Sequence, residues 1–278
     1  MNTRLNLPPD SSPSDLIKLK LTIAYDGTHY KGWQVQPTGI TVQQRVEEAL
    51  RKLFPSVTRI HGSSRTDTGV HALGMVAHVE FPKREFRMPI RKVALAVNAF
   101  LPEDIRIVSA LRAAPSFHAR FDSCRKQYRY QMWNHPAANP ILRGLTWHVP
   151  VKLSLPLMRE AAAHFLGTQD FRSLAANRDY EIEDTTRTIF RCDVQSSGPL
   201  KTIVIEGDGF LYKMCRAIAG TLCRVGHGKM APSDVPRMLH LQSREFAGMT
   251  APAHGLTLCK VYYSPPRRAR AESNKSKR

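Results

Sequence analysis

From Leu16 to Tyr25 the chain reads LIKLKLTIAY, with apolar residues at every second position from Ile17 and Lys18, Lys20 and Thr22 between them. A period of two marks a strand with one buried face. Asp26-Gly27 closes it with a turn signal. The period then changes. Val42, Val46, Ala49, Leu50, Leu53 and Phe54 fall on one face at helical spacing. Thr41 is placed to cap this helix, Gln44 three residues on completes a capping box, and Pro55 stops it. Gly74 to Phe81 (GMVAHVEF) reads as a strand, Pro89 to Phe100 as a helix and Asp104 to Leu111 as a strand. The first half is thus β-α-β-α-β.

The second half follows the same logic. Lys126 to Trp133 (KQYRYQMW) is a strand, and a helix from about Pro156 to Leu166 is closed by Gly167. Strands Thr186 to Gln195 and Lys201 to Glu206 are joined by the Ser-Ser-Gly-Pro turn at 196–199. The longest helix, Phe210 to about Val225, carries Leu211, Met214, Ile218, Leu222 and Val225 as an apolar stripe. A short helix from Pro232 and a strand from Leu256 to Tyr263 complete the fold.

The class is therefore α+β. Two successive halves imply two sheets, or one long antiparallel-rich sheet, with helices on one face. The other face is then open to a large ligand. The expected organisation is a flexible leader over 1–15, an N-terminal half over 16–115, a C-terminal half over 116–264 and a disordered basic tail over 265–278.

No apolar run reaches the roughly 18 residues that span a membrane. Met1 to Asp15 is rich in Pro, Ser and Asp and lacks the apolar core of a signal peptide, so a cytoplasmic protein is expected. The five cysteines are odd in number and form no CxxC, as in a reduced compartment. Cys215, Cys223 and His227 lie close in sequence but lack paired ligand spacing; helix packing accounts for them, and no metal is expected.

Charge changes the picture. Lys and Arg number 41 against 23 Asp and Glu, a formal net charge of +18. The tail from Arg267 carries six basic residues and one acidic, so the remainder still holds 35 basic against 22. A polyanionic partner accounts for an excess so one-sided.

Three segments carry candidate chemistry. Tyr25 to Gln34 (YDGTHYKGWQ) sets Tyr25, Lys31, Trp33 and Gln34 around two glycines, where rings can stack on bases and a cation can meet phosphate, and where a buried Trp33 also anchors the turn. Gly62 to Ala72 (GSSRTDTGVHA) holds Asp67 between two strands, two residues from Arg65. A guanidinium nearby favours an ionised carboxylate, which is a competent nucleophile or base. By itself the triplet reads first as a turn with a surface ion pair, and His71 as a structural histidine. The third segment, Phe117 to Tyr130, interleaves Arg120, Arg125, Lys126 and Arg129 with Phe121, Tyr128 and Tyr130. On a strand Lys126, Tyr128 and Tyr130 share one face and Arg125, Gln127 and Arg129 the other. Basic groups beside aromatic platforms suit RNA, or form the solvated face of an edge strand.

Taken together, seven collinear stretches resemble the tRNA pseudouridine synthase A (TruA) family: YDGTHYKGWQVQP, TVQQRVEEAL, RTDTGVHALGMVAHV, FHARFDSCRKQYRY, GTQDFRSL, GFLYKMCRAIAGTL and APAHGLTL. The family more often has Ala at Thr68, His at Gln169 and an aliphatic residue at Cys215. The resemblance implies two related α/β halves forming one extended, antiparallel-rich mixed sheet with a basic active-site cleft between them. It implies Asp67 as nucleophile, Arg65 and Arg216 as its basic partners, and Tyr128 as the ring that stacks in the pocket. Tyr25, Lys31, Trp33, Gln34, His71, Arg120, Lys126 and Arg129 are expected to bind substrate. The implied enzyme is a homodimer without metal or organic cofactor that isomerises uridines 38, 39 and 40 in the anticodon stem-loop of tRNA. A non-catalytic RNA-binding protein is the alternative. A metal-dependent nuclease fits poorly, because no second carboxylate stands near Asp67 at ligand spacing.

Overall fold

The computed structural model describes residues 15–176, 184–242 and 248–263. The basic tail and all of the leader before residue 15 lie outside the described residues. Ten strands form one sheet: β1 (Leu16–Tyr25), β2 (His61–Gly62), β3 (His71–Pro82), β4 (Ile105–Arg112), β5 (Ser123–Asn134), β6 (Trp147–Val149), β7 (Gly167–Asp170), β8 (Thr186–Ser197), β9 (Leu200–Gly207) and β10 (Leu256–Tyr263). Five α-helices accompany it among the described residues: α1 (Val42–Arg51), α2 (Ile90–Asn98), α3 (Leu155–Ala163), α4 (Met214–Gly226) and α5 (Asp234–His240).

The strand order is β4-β1-β3-β10-β5-β9-β8-β7, with β2 on β3 and β6 on β5. Pairing is antiparallel except for β10 with β3 and β6 with β5. Of the two arrangements the periodicity allows, the chain adopts the single, mostly antiparallel mixed sheet. The last strand makes it continuous. β10 enters between β3 and β5 and meets β3 through Thr257 opposite His71 and Leu258 opposite Ala72. Gly74 allows that seam to close: a Cβ there would lie 2.4 Å from the Cys259 carbonyl oxygen.

The alternating pattern behaves as its period requires. Ile17, Leu19, Leu21, Ile23 and Tyr25 are buried along β1. In β5, Tyr128, Tyr130 and Met132 face the core, whereas Arg125 and Arg129 are exposed. Thr41 accepts the Gln44 N–H at the head of α1. The box is only half made, since the Gln44 side chain donates to Glu48 instead.

Several boundaries differ from the periodicity. α1 ends at Arg51; the N–H groups of Leu53 and Phe54 both turn back to the Leu50 carbonyl, and Phe54 stacks on Phe81 at 4.2 Å. α3 ends at Ala163, and Gly167 (φ +90°) opens β7 rather than capping the helix. Phe210 to Lys213 is not helical. Lys213 takes a left-handed φ of 60°, and α4 begins at Met214. This break leaves Phe210 free to set its ring edge-on to Tyr128 at 5.2 Å. The short strands β2, β6 and β7 carry too few residues to show a period. No helix among the described residues is long and apolar enough to cross a membrane.

Candidate active site

Asp67 lies in the loop from β2 to β3, just ahead of the seam between the two sheet halves. The neighbouring loop after β1 clamps it. Trp33 N–H donates to the Thr66 carbonyl at 3.2 Å, Gly69 N–H to the Tyr30 carbonyl at 3.4 Å, and the Tyr25 hydroxyl shares a 2.8 Å hydrogen bond with Thr66 Oγ1. Gly32 makes this approach possible. Its φ is +84°, and a Cβ would sit 2.4 Å from the Thr66 carbonyl oxygen.

This packing gives three of the expected substrate-binding residues a structural place. Trp33 is 2 % exposed and Tyr25 5 %, and their rings stack on each other at 6.1 Å. In this packing the two rings support the loop that carries Asp67, as a turn anchored by a buried Trp33 would. His71 is also buried. Its Nδ1 lies 3.1 Å from the Gly27 backbone nitrogen and 3.0 Å from Asp26 Oδ1, and its Nε2 lies 3.1 Å from the His254 carbonyl. Through both nitrogens His71 ties the loop after β1 to the segment ahead of β10.

The partner of Asp67 comes from the other half of the chain. Arg216, in the first turn of α4, donates from Nη1 to Asp67 Oδ2 at 3.0 Å and from Nε to the Ala251 carbonyl at 2.8 Å. The Ala251 N–H returns a bond to the Arg216 carbonyl at 3.1 Å. Both charged side chains remain partly accessible, and Asp67 Oδ1 accepts no hydrogen bond among the described residues. Arg65 does not share this role. It is exposed and makes no ion pair with Asp67 among the described residues; the Thr66 carbonyl beside it is held by the Trp33 N–H and the Thr66 hydroxyl by Tyr25, while the Arg65 side chain stays in solvent.

Tyr128 borders the same space. Burial, reinforced by the Cys215 thiol nearby, pushes its phenol far above the ordinary range, and Tyr25 and Asp67 act in the same direction. It is therefore an uncharged hydroxyl. Two residues along β5, burial and the neighbouring Arg120 push the Lys126 ammonium down to about 8, with Asp208 opposing and Arg187 adding to the effect. Arg129 points away, on the opposite face of β5 from Tyr128. Lys31 is exposed and packs its stem against Gly39, and Gln34 is half-buried. Neither makes a hydrogen bond or ion pair with Asp67 among the described residues.

Two members of the site are not singled out by sequence pattern. Phe210 covers Tyr128 edge-on, and Arg187 in β8 adds a cation beside Lys126. Only their distance from Tyr128 and Lys126 in space identifies them. Among the described residues no group of three or more His, Cys, Asp or Glu is placed to hold a metal ion. Cys223 lies 3.9 Å from His227, while Cys215 belongs to the surroundings of Tyr128.

A partly accessible carboxylate held by an arginine from the opposite half is thus the centre of the site. A family model described as tRNA pseudouridine synthase matches residues 21–122 and 161–264. The chain belongs to the tRNA pseudouridine synthase family. It is an isomerase. The two matched blocks hold Asp67 and Arg216, one in each, and Tyr128 and Lys126 lie in the stretch between them. Among its relatives, tRNA pseudouridine synthase A of Bacillus pumilus (strain SAFR-032) is 42% identical over 249 residues, covering 89% of this chain and 99% of the relative. The protein of the same name from Bacillus subtilis (strain 168) is 43% identical over 249 residues, with the same coverage. That of Geotalea uraniireducens (strain Rf4) is 43% identical over 246 residues, 88% of this chain and 99% of its own. In this pseudouridine synthase the two matched blocks meet along the β10–β3 seam and through the Asp67–Arg216 ion pair.

Proposed function

We propose that this protein isomerises uridine to pseudouridine at positions 38, 39 and 40 of the tRNA anticodon stem-loop, with Asp67 as the nucleophile. The observation that carries this is the Asp67 carboxylate, fixed through Oδ2 by Arg216 with Oδ1 unoccupied by any hydrogen bond among the described residues. Family membership and the names of the relatives supply the reaction class and the tRNA substrate.

The base must leave its stack to reach a carboxylate set back in a loop, at a cost of a few kcal/mol. Tyr128 receives it beside Asp67, after Phe210 yields its edge-on place over the ring. Oδ1 is then the atom free to attack the sugar or the ring, or to take up a proton. Arg120, Lys126 and Arg187 form the basic approach that holds the phosphates on either side. The cleft between the halves, a homodimer and a cytoplasmic setting belong to the same proposal.

Incubation of purified protein with unmodified tRNA transcripts, followed by pseudouridine mapping, tests it. The wild type should convert uridines at 38–40 without added cofactor. Asp67→Asn should bind the same tRNA and convert none. Binding by the wild type without conversion would instead make this an RNA-binding protein, and conversion by Asp67→Asn would remove Asp67 from its role.

A further inference from the structure

Phe121 is 74 % exposed, and its ring is packed against neighbours. It stacks on His118 with centroids 4.2 Å apart, and the Arg120 guanidinium lies 5.7 Å from its own ring centre. His118 in turn meets His78 edge-on at 4.7 Å, and His78 stacks on His61 at 5.0 Å. The segment beneath is tied to the sheet. Lys18 donates to the Phe117 carbonyl at 2.8 Å, the Tyr263 hydroxyl to the Ala119 carbonyl at 2.7 Å, and the Ala119 N–H to His78 Nδ1 at 3.1 Å. The N–H groups of Arg120 and Phe121 both close on His118 Nδ1, at 3.1 and 3.2 Å. Asp122 accepts the His118 N–H at 2.9 Å, which closes the turn beneath the ring.

An isolated exposed apolar residue is ordinary. An outward phenylalanine backed by a second flat ring and flanked by a guanidinium is the arrangement on which an unpaired base stacks. Its place relative to the site gives the partner. Arg120 is close enough to Lys126 for its charge to act there, and Lys126 shares a face of β5 with Tyr128, which borders Asp67.

We propose that Phe121, backed by His118 and flanked by Arg120, is a stacking platform for a second, non-reacting nucleobase of the RNA whose uridine enters the Asp67 site. This inference rests on the function proposed above and adds a separate contact point outside the reaction centre. It also supplies a reason for the basic-aromatic interleaving of this segment that a solvated strand face does not.

Binding can be tested apart from isomerisation by using an anticodon stem-loop RNA in which the target uridines are cytidines. Phe121→Ala should weaken binding of that RNA about tenfold, Phe121→Leu by nearly as much, and Phe121→Trp should restore it. The restored variant should show extra emission that the RNA quenches, over the background of Trp33, Trp133 and Trp147. On uridine-containing substrate Phe121→Ala should raise KM and leave kcat within about twofold. Stacking is not ionic, so the salt slope of binding should stay unchanged in Phe121→Ala and fall by about one in Arg120→Ala. Equal affinity of wild type and Phe121→Ala overturns the platform, even if the enzyme isomerises tRNA normally. So does a change in oligomeric state with no change in RNA affinity, which would assign the ring to a second copy. Weakened binding by Phe121→Ala in a protein that proves unable to isomerise would keep the platform and defeat the proposed function instead.

Discussion

Arg216 reaches Asp67 across 149 positions of sequence and is itself held in place, with Nη1 on the carboxylate at 3.0 Å and Nε on the Ala251 carbonyl at 2.8 Å. A planar guanidinium can satisfy both acceptors at once. An ammonium has donors enough for two acceptors but no fixed fork to span these two from one position, since its charge sits at a point on a flexible stem.

Arg216→Lys should therefore keep a positive charge near Asp67 and still lose its aim. We expect kcat to fall at least about a hundredfold, the scale of losing one preorganised donor in an active site. The far-UV circular dichroism and tRNA Kd should stay close to wild type. A kcat within a few-fold of wild type would show that Arg216 only neutralises the carboxylate.

How far the sequence reaches can be judged from these same residues. The strand periods of β1 and β5 are visible because one face is buried and the other is charged, which is also why Tyr128 and Arg129 part company as alternation demands. The helix break before Met214 is invisible, since Phe210 and Leu211 are apolar at spacings a helix would also give; tertiary packing on Tyr128 decides it. Asp67 stands out by motif and resemblance, but its arginine does not follow from nearness in sequence. Arg65 is two residues away and exposed, whereas Arg216 arrives by folding. The aromatic residues of the first loop are misleading for a related reason. Sequence gives the ring and not its exposure: Trp33 and Tyr25 are buried beneath the Asp67 loop, and Tyr128 is buried beside Phe210.

That burial separates two roles for Trp33. As a support for the Asp67 loop, Trp33→Ala should cost about 3–5 kcal/mol of stability, the usual range for a large aromatic removed from a core. Urea denaturation at neutral pH measures it. At a temperature where the variant is still folded, its affinity for tRNA should change little. Loss of affinity with an unchanged urea midpoint would return Trp33 to the binding surface.

His78 makes stability depend on acid. Burial, with His61 and His118 beside it, pushes its pKa down to about 3, and Lys18 adds to this while Asp122 opposes it. The folded state therefore binds fewer protons than the unfolded one between about pH 6.5 and 3. Stability should be full above the unfolded pKa and decline as pH falls through that window, with His61 and His118, also lowered by burial, contributing to the same slope. His78→Gln should flatten the decline between pH 7 and 5 when urea midpoints are compared, even if it lowers stability at pH 7. An equal slope in both proteins would place the acid sensitivity elsewhere.

Lys126 gives RNA binding an alkaline limit of its own. Its ammonium is held down to about 8, first by burial and then by Arg120. A phosphate binds only the charged form, so the sign is fixed: the contact is present below about pH 8 and is lost as pH rises through it. The surrounding arginines do not titrate in this range, and they keep their contacts throughout. Between pH 7 and 9 the affinity for tRNA should fall, and the slope of log affinity against log salt should shrink by about one phosphate contact, roughly 0.7 to 0.9. Lys126→Arg should hold both constant over the same range, because a guanidinium stays protonated there. If wild type and Lys126→Arg lose affinity in parallel, the titrating group is another residue and Lys126 does not touch the backbone of the RNA.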